Sequence, residues 1–363
     1  MADLSPDASL TQDESFVPTS YKGLDYPLGA FAPARGELHR LSAGLRWARI
    51  SLPGSLGHIN CWVLDDEGGV AICDTGMSLP VCVEDWESIF AGELAGTRVT
   101  RVLGTHFHPD HIGLAGWLAD RFDAPVWMTR GEWLTAQLSR ADARDAVPAD
   151  VIALRRAAGW TADQIAASLK GGWGRMRNYV AQMPLGYRRL QDGDRVTIGA
   201  GIWTVVTGNG HSPEHACLLN EQDGLLIAGD QVLPRISSNV SLGVTEPDGD
   251  PLGDWLASID KLLALPDDVL VLPAHGEPFR GLHTRLAALR DEHRGRLDAL
   301  AGHLAEPRRA VDCFGLLFSR AIGEDALPLA CGEALSHLRH LEVTGRAVRE
   351  VDDDVWWYRA PRG

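Results

Sequence analysis

The sequence predicts an α/β protein with a smaller C-terminal unit. Three observations lead there. Short apolar runs alternate with stretches of helical spacing up to about residue 280. Several of those runs end in a small residue followed by a metal-ligating side chain. The composition then changes near Gly281, where a long Arg-, Leu- and Ala-rich stretch begins.

Residues 1–20 are polar and acidic, with no basic start and no apolar segment, which predicts a flexible lead-in and no signal peptide. Apolar runs at 45–50, 59–64 and 70–73 read as strands, the last two joined by the turn residues 65–69. Helical spacing follows over 81–94, and then a strand at 99–103. A helix over 113–122 carries Leu114, Trp117 and Leu118 on one face, and a short strand covers 125–128. Residues 131–183 read as a helical insert, with Thr161 to Gln164 shaped as a capping box. Strands resume at 196–198, 202–207, 215–219 and 225–229. An amphipathic helix at 254–264 and an apolar run at 269–272 close a catalytic-size unit spanning 21–280. The C-terminal unit, 281–363, reads as a helix to about Leu304, helices over 311–321 and 326–344, and a hairpin around Asp352-Asp353-Asp354.

The length suits one large domain plus a smaller one. Net charge is −15, which is poorly suited to gripping nucleic acid by phosphate neutralisation. No run reaches the ~18 apolar residues of a membrane span. None of the six cysteines forms C-x-x-C, and they read as small buried hydrophobes of a reducing compartment. The expected location is the cytoplasm.

The chemistry concentrates at 105–113, Thr-His-Phe-His-Pro-Asp-His-Ile-Gly, where His106, His108, Asp110 and His111 fall in the order H-x-H-x-D-H at the end of an apolar strand. His211 follows the strand 202–207, Asp230 follows Ile227-Ala228-Gly229, and His275 follows Leu272-Pro273-Ala274. Open α/β sheets place ligands at such strand ends. Imidazoles and carboxylates together suit zinc and similar cations. Asp74, in Ile72-Cys73-Asp74-Thr75-Gly76, is placed to hold a ligand histidine by its other nitrogen. His58 reads as a cleft-mouth residue and His215 as a hydrogen-bonding or substrate-binding one. Arg235 reads as an anchor for a substrate anion. A Ser212–His215 nucleophile pair is the competing reading of that segment; no G-x-S-x-G, P-loop or H-E-x-x-H is present.

These residues resemble the metallo-β-lactamase superfamily of metallohydrolases, over roughly 45–280. The resemblance implies a four-layer αββα sandwich. It implies a first metal on His106, His108 and His211, a second on Asp110, His111 and His275, and Asp230 between them. It also implies two divalent ions, zinc ahead of manganese or iron, and a bridging hydroxide that cleaves an acyl bond of a small molecule (thioester, ester or lactone), with Asp110 passing a proton. A phosphodiesterase or ribonuclease and a mononuclear iron persulfide dioxygenase are the alternatives on that fold. The C-terminal unit is similar to the winged-helix tail of some members. Its second helix carries a mixed set, Glu333, His337, Arg339, His340 and Glu342, which points to packing, site covering or a homodimer over DNA binding.

Overall fold

The computed structural model describes residues 17–54 and 56–362. The lead-in expected over 1–20 therefore lies mostly outside the described residues, but its last part is ordered. Strand β1 (Thr19–Tyr21) pairs antiparallel with β2 (Leu24–Tyr26). Lys22 and Gly23 turn the chain with φ of 53° and 76°. Two left-handed residues match the twist of a tight hairpin.

Seven strands, paired in chain order, make the first sheet: β3 (Leu38–Ser42), β4 (Leu45–Ser51), β5 (His58–Asp66), β6 (Gly69–Cys73), β7 (Val99–Leu103), β8 (Val126–Thr129) and β9 (Arg188–Leu190). It changes from antiparallel to parallel at β6–β7. There α1 (Pro80–Ala91) makes the crossover. After β7 the chain runs through one turn, α2 (Pro109–Ile112), and then α3 (Ala115–Phe122). The helix expected over 113–122 is α3, beginning two residues later, with the turn α2 ahead of it. Between them Gly113 packs closely: a Cβ there would stand 2.4 Å from the Pro109 carbonyl and 2.5 Å from the Gly76 carbonyl. The Leu114 N–H meanwhile donates to Gly76 and Thr75. The insert folds as α4 (Arg130–Ala141), α5 (Ala149–Ala157) and α6 (Ala162–Ser168), the last with the expected Thr161–Gln164 capping box.

The second sheet holds β10 (Arg195–Ile198), β11 (Gly201–Gly208), β12 (His215–Asn220), β13 (Leu225–Gly229) and β14 (Leu270–Pro273), also in chain order. Between the last two lies α7 (Pro251–Leu262). The C-terminal unit contributes α8 (Leu282–His303), one turn α9 (Phe314–Leu317), α10 (Leu327–Val343) and the hairpin β15 (Val348–Asp352) and β16 (Val355–Arg359). The helix expected over 311–321 shrinks to a 3₁₀ turn plus α9. Within that turn Asp312 accepts from the Arg309 N–H and guanidinium as a capping box, and just ahead of it Arg308 exchanges backbone bonds with Tyr358 of the hairpin. The helix stops at Leu317 because the Phe318 backbone is extended, φ −125° and ψ 132°.

Side-chain alternation produces the layers. In β5, Ile59, Cys61 and Val63 pack outward against α1, while Trp62 and Leu64 face the second sheet. In β13, Leu225 and Ile227 meet them, and Leu226 and Ala228 face α7 and α8. Helices outside both sheets and an apolar seam between the sheets make the four-layer sandwich that was expected. The core outside the second sheet continues without a break into α8 and α10, through Trp255, Leu286, Leu335 and Leu338. The six cysteines are buried and unbridged. No helix among the described residues is long and apolar enough to cross a membrane.

Candidate metal centre

The strand ends deliver seven side chains to one edge of the sandwich, in two groups. Donor atoms of His106, His108, His211 and Asp230 lie within 4.8 Å of one another, and so do those of Asp110, His111 and His275. Asp230 reaches both groups: its carboxylate is 3.5 Å from Nε2 of His211, of His111 and of His275. Asp110 Oδ2 lies 3.3 Å from His275 Nε2 and 3.6 Å from His111 Nε2.

Four of the five imidazoles are held from behind. His111 Nδ1–H donates to Asp74 at 2.8 Å, His211 Nδ1–H to the Asn239 carbonyl at 2.7 Å, and His275 Nδ1–H to the His58 carbonyl at 3.0 Å. Thr105 Oγ1 donates to Asp74 at 2.9 Å and sits 3.1 Å from His106 Nδ1. These partners select the tautomer that leaves a lone pair on the inward nitrogen. His108 is turned the other way: its Nδ1 is the inward atom, 2.8 Å from His106 Nε2. Asp74 can reach both partners because its backbone is left-handed, φ 60°.

The site carries unmet demand. His111 Nε2 and Asp230 Oδ1 are buried without a hydrogen-bond partner. Orphaned buried polar atoms are rare and costly. Burial pushes His106 well below the usual imidazole range and His108 down to about 3, so both are neutral donors. Burial also pulls on His111, but Asp110, Asp230 and Asp74 outweigh it and raise it well above that range. Burial would raise Asp230; His111, His211 and His275 prevail and hold it well below the carboxylate range. The neutral imidazoles of His106 and His108 and the ionised Asp230 facing one space, with orphaned atoms aimed into it, fit divalent cations.

The remaining sequence-derived residues are placed as follows. His215 is buried, stacks on His106 at 4.8 Å, and its Nε2 accepts the Asp230 N–H at 3.1 Å. It supports the backbone of Asp230. Ser212 donates to Glu132 at 2.6 Å and makes no pair with His215, so the nucleophile reading of that segment has no geometry behind it. The His58 ring takes a hydrogen bond from Arg49 at 2.5 Å and lies 6.5 Å from the His275 ring. Arg235, expected as a substrate anchor, is instead clamped at 2.8 and 2.9 Å by Glu277 and lies over the Tyr26 ring at 4.9 Å. Its charge is already matched by the Glu277 carboxylate, which accepts two parallel hydrogen bonds from the guanidinium.

Sequence reasoning missed three residues. Glu132, on α4, is fully buried and accepts from the Phe107 N–H, the Ser212 hydroxyl and the Glu214 N–H. It ties the 105–113 loop to the 211–214 loop. An acid in the first turn of a helix looks in sequence like ordinary dipole complement. Asn60 binds the Pro273 and Gly276 carbonyls on either side of His275, at 2.9 and 2.8 Å. A polar residue inside the apolar run Ile59-Asn60-Cys61-Trp62 was the readable signal. Asn239 acts through its carbonyl, which no side-chain pattern reveals.

Comparison with known proteins agrees with this geometry. A solved beta-lactamase domain protein from Burkholderia ambifaria is 42% identical, with a TM-score of 0.86 over 93% of this chain and 98% of its own. A probable metallo-hydrolase from Bacillus subtilis (strain 168) is 33% identical over 145 residues, 39% of this chain and 44% of that one. This chain therefore spans less than half of that relative in the match. An acyl-coenzyme A thioesterase from Gallus gallus is 27% identical over 254 residues, 66% of this chain and 80% of its own. The family description "Metallo-beta-lactamase-like, C-terminal domain" matches residues 297–361. The description "Metallo-beta-lactamase superfamily" matches residues 54–275, more than half of the chain and the whole span of the candidate metal ligands, and the chain belongs to that superfamily.

Proposed function

We propose that this protein is a dinuclear metal-dependent hydrolase that cleaves an acyl bond of a small molecule, with a thioester ahead of an ester or lactone. The observation that carries the reading is Asp230, within 3.5 Å of histidines from both donor groups. Two cations bound there, zinc ahead of manganese or iron, would supply a hydroxide nucleophile at neutral pH and polarise a substrate carbonyl. His106, His108 and His211 would hold one ion and Asp110, His111 and His275 the other, with Asp230 lying beside both groups. The burial of His106 and His111 keeps bulk water off the ligands. Asp110, beside His275, is the group placed to take and return a proton.

The thioester preference draws on the similarity to the Gallus gallus acyl-coenzyme A thioesterase. A cavity of about 610 Å3 lies between the insert and the start of α10, and none of the seven donor residues lines it. Trp160, Trp173, Met176 and Leu327 supply apolar walls, with Arg155 and Lys170 among them. The net charge of −15 favours a small molecule over nucleic acid. Six unbridged thiols support a cytoplasmic setting.

The test is plasma mass spectrometry of the purified protein beside a thioester, lactone and phosphodiester panel. About two zinc or manganese per chain with acyl-bond cleavage is the expected result. One iron per chain with oxygen consumption and no hydrolysis overturns it.

A further inference from the structure

The metal centre and the C-terminal unit meet at the loop 239–242. Its Asn239 carbonyl takes the Nδ1–H of His211 at 2.7 Å. The side chain of the same residue is held from α10: Nδ2 donates to Glu333 at 3.2 Å. Oδ1 accepts from Ser241. Glu333 is anchored in turn by Arg296 of α8 at 3.3 Å, and Arg296 also binds Glu292 at 2.7 Å. One residue before Glu333, the Gly332 carbonyl accepts the Leu242 N–H at 3.0 Å. A Cβ on Gly332 would stand 2.5 Å from Ser241 Oγ and 2.7 Å from Ser241 Cβ, so only glycine lets loop and helix come this close. Val240 and Leu242 are buried in the core shared with α7, α8 and α10.

We propose that α10 is a positioning element for the metal centre: Gly332 and Glu333 seat the 239–242 loop so that the Asn239 carbonyl aims His211. The inference rests on the ligand assignment proposed above. Glu333 touches neither a reacting atom nor a ligand nitrogen; it acts through Asn239. An imidazole whose outer nitrogen loses its partner can rotate and change tautomer, and losing such a partner typically costs 10–100-fold in metal affinity. On this reading the C-terminal unit is required for tight metal binding as well as for covering apolar surface.

The experiment is zinc affinity by chelator competition on the full chain, beside the visible spectrum of the cobalt-loaded protein, with folding checked by circular dichroism. Glu333→Ala is expected to weaken zinc binding about tenfold and shift the cobalt bands. Glu333→Gln, whose amide oxygen still accepts from Asn239, returns both to within roughly threefold of wild type. Gly332→Val, which pushes the loop off the helix, matches Glu333→Ala. If His211→Ala binds zinc as tightly as wild type, the ligand assignment fails. If His211→Ala loses zinc while folded Glu333→Ala and Gly332→Val keep wild-type affinity, the positioning inference alone fails. Should both of those variants unfold, Asn239→Ala decides it beside Ser241→Ala: the first leaves α10 intact and cuts the side-chain ties to Glu333 and Ser241, the second cuts the Ser241 tie alone, and only the first must weaken zinc binding for the inference to stand.

Discussion

Two groups of buried histidines sit in this molecule, and they behave differently. At the strand ends, five imidazoles turn one nitrogen inward beside two carboxylates. Between α8 and α10, His293 and His337 are equally buried, but their rings bond each other, Nδ1 to Nε2, at 3.2 Å. His337 Nδ1–H donates to the Glu333 carbonyl, and no carboxylate joins the pair. Both rings are pushed down by burial, His293 to about 3 and His337 to about 4. Burial and clustering of histidine therefore do not identify a metal centre. Convergence of lone pairs on a shared space, with ionised oxygens to balance a cation, does.

The largest effect expected from this contrast is on the carboxylate that the histidine pair lacks. Asp230→Ala should lose at least one metal ion per chain by mass spectrometry. Its hydrolytic rate should fall by about 4 kcal/mol in barrier, on the order of 10³-fold. Full metal content in that variant would remove Asp230 from the shared position.

Glu132→Ala comes next, because it strands two backbone N–H groups and a hydroxyl in a buried site. Urea unfolding should show a loss of about 3 kcal/mol, with weaker metal binding from both loops. A change below about 1 kcal/mol would mean the two loops hold each other without it.

The histidine pair itself predicts a pH effect. Its folded-state values lie below the 6.5 of free imidazole, so between about pH 6.5 and 4 the unfolded chain binds more protons than the folded one. Stability from this pair is complete above that window and falls as pH drops through it. The loss is about 2 kcal/mol per histidine by pH 5. His293→Leu should flatten the slope while leaving metal content unchanged. A slope equal to wild type would show that the pair does not contribute.

Arg235→Ala marks the small end. With its guanidinium on Glu277 at a half-exposed site, the change should cost under about 1 kcal/mol of stability and leave KM within roughly twofold. A several-fold rise in KM would restore it as a substrate contact.

Much of the metal centre was legible because its ligands follow strands. A strand end has a readable signature, an apolar run closed by a small residue, and His211, Asp230 and His275 each carry it. Asp74 was legible for the same reason. The supports were not. Glu132 belongs to a helix of the insert, Asn60 to a strand far from His275 in sequence, and Asn239 contributes only a carbonyl. Such partners are defined by where two distant segments meet. The helix expected over 311–321 was only partly realised: its spacing was helical, but the backbone turns extended at Phe318.

What the amino-acid sequence by itself determined was the α/β class, the order of strands and helices, and the identity of the donor side chains. Each depends on local periodicity and side-chain chemistry. What only the tertiary structure decided was the buried support of the donor loops by Glu132 and Asn60, the pairing of Arg235 with Glu277, and the seating of the His211 loop on α10. Those depend on packing between segments far apart in sequence: Asn239 and Glu333 are 94 residues apart, and His106 and His211 are 105. No local pattern encodes a distance of that kind, because it is fixed by the way the second sheet and the C-terminal helices share one core.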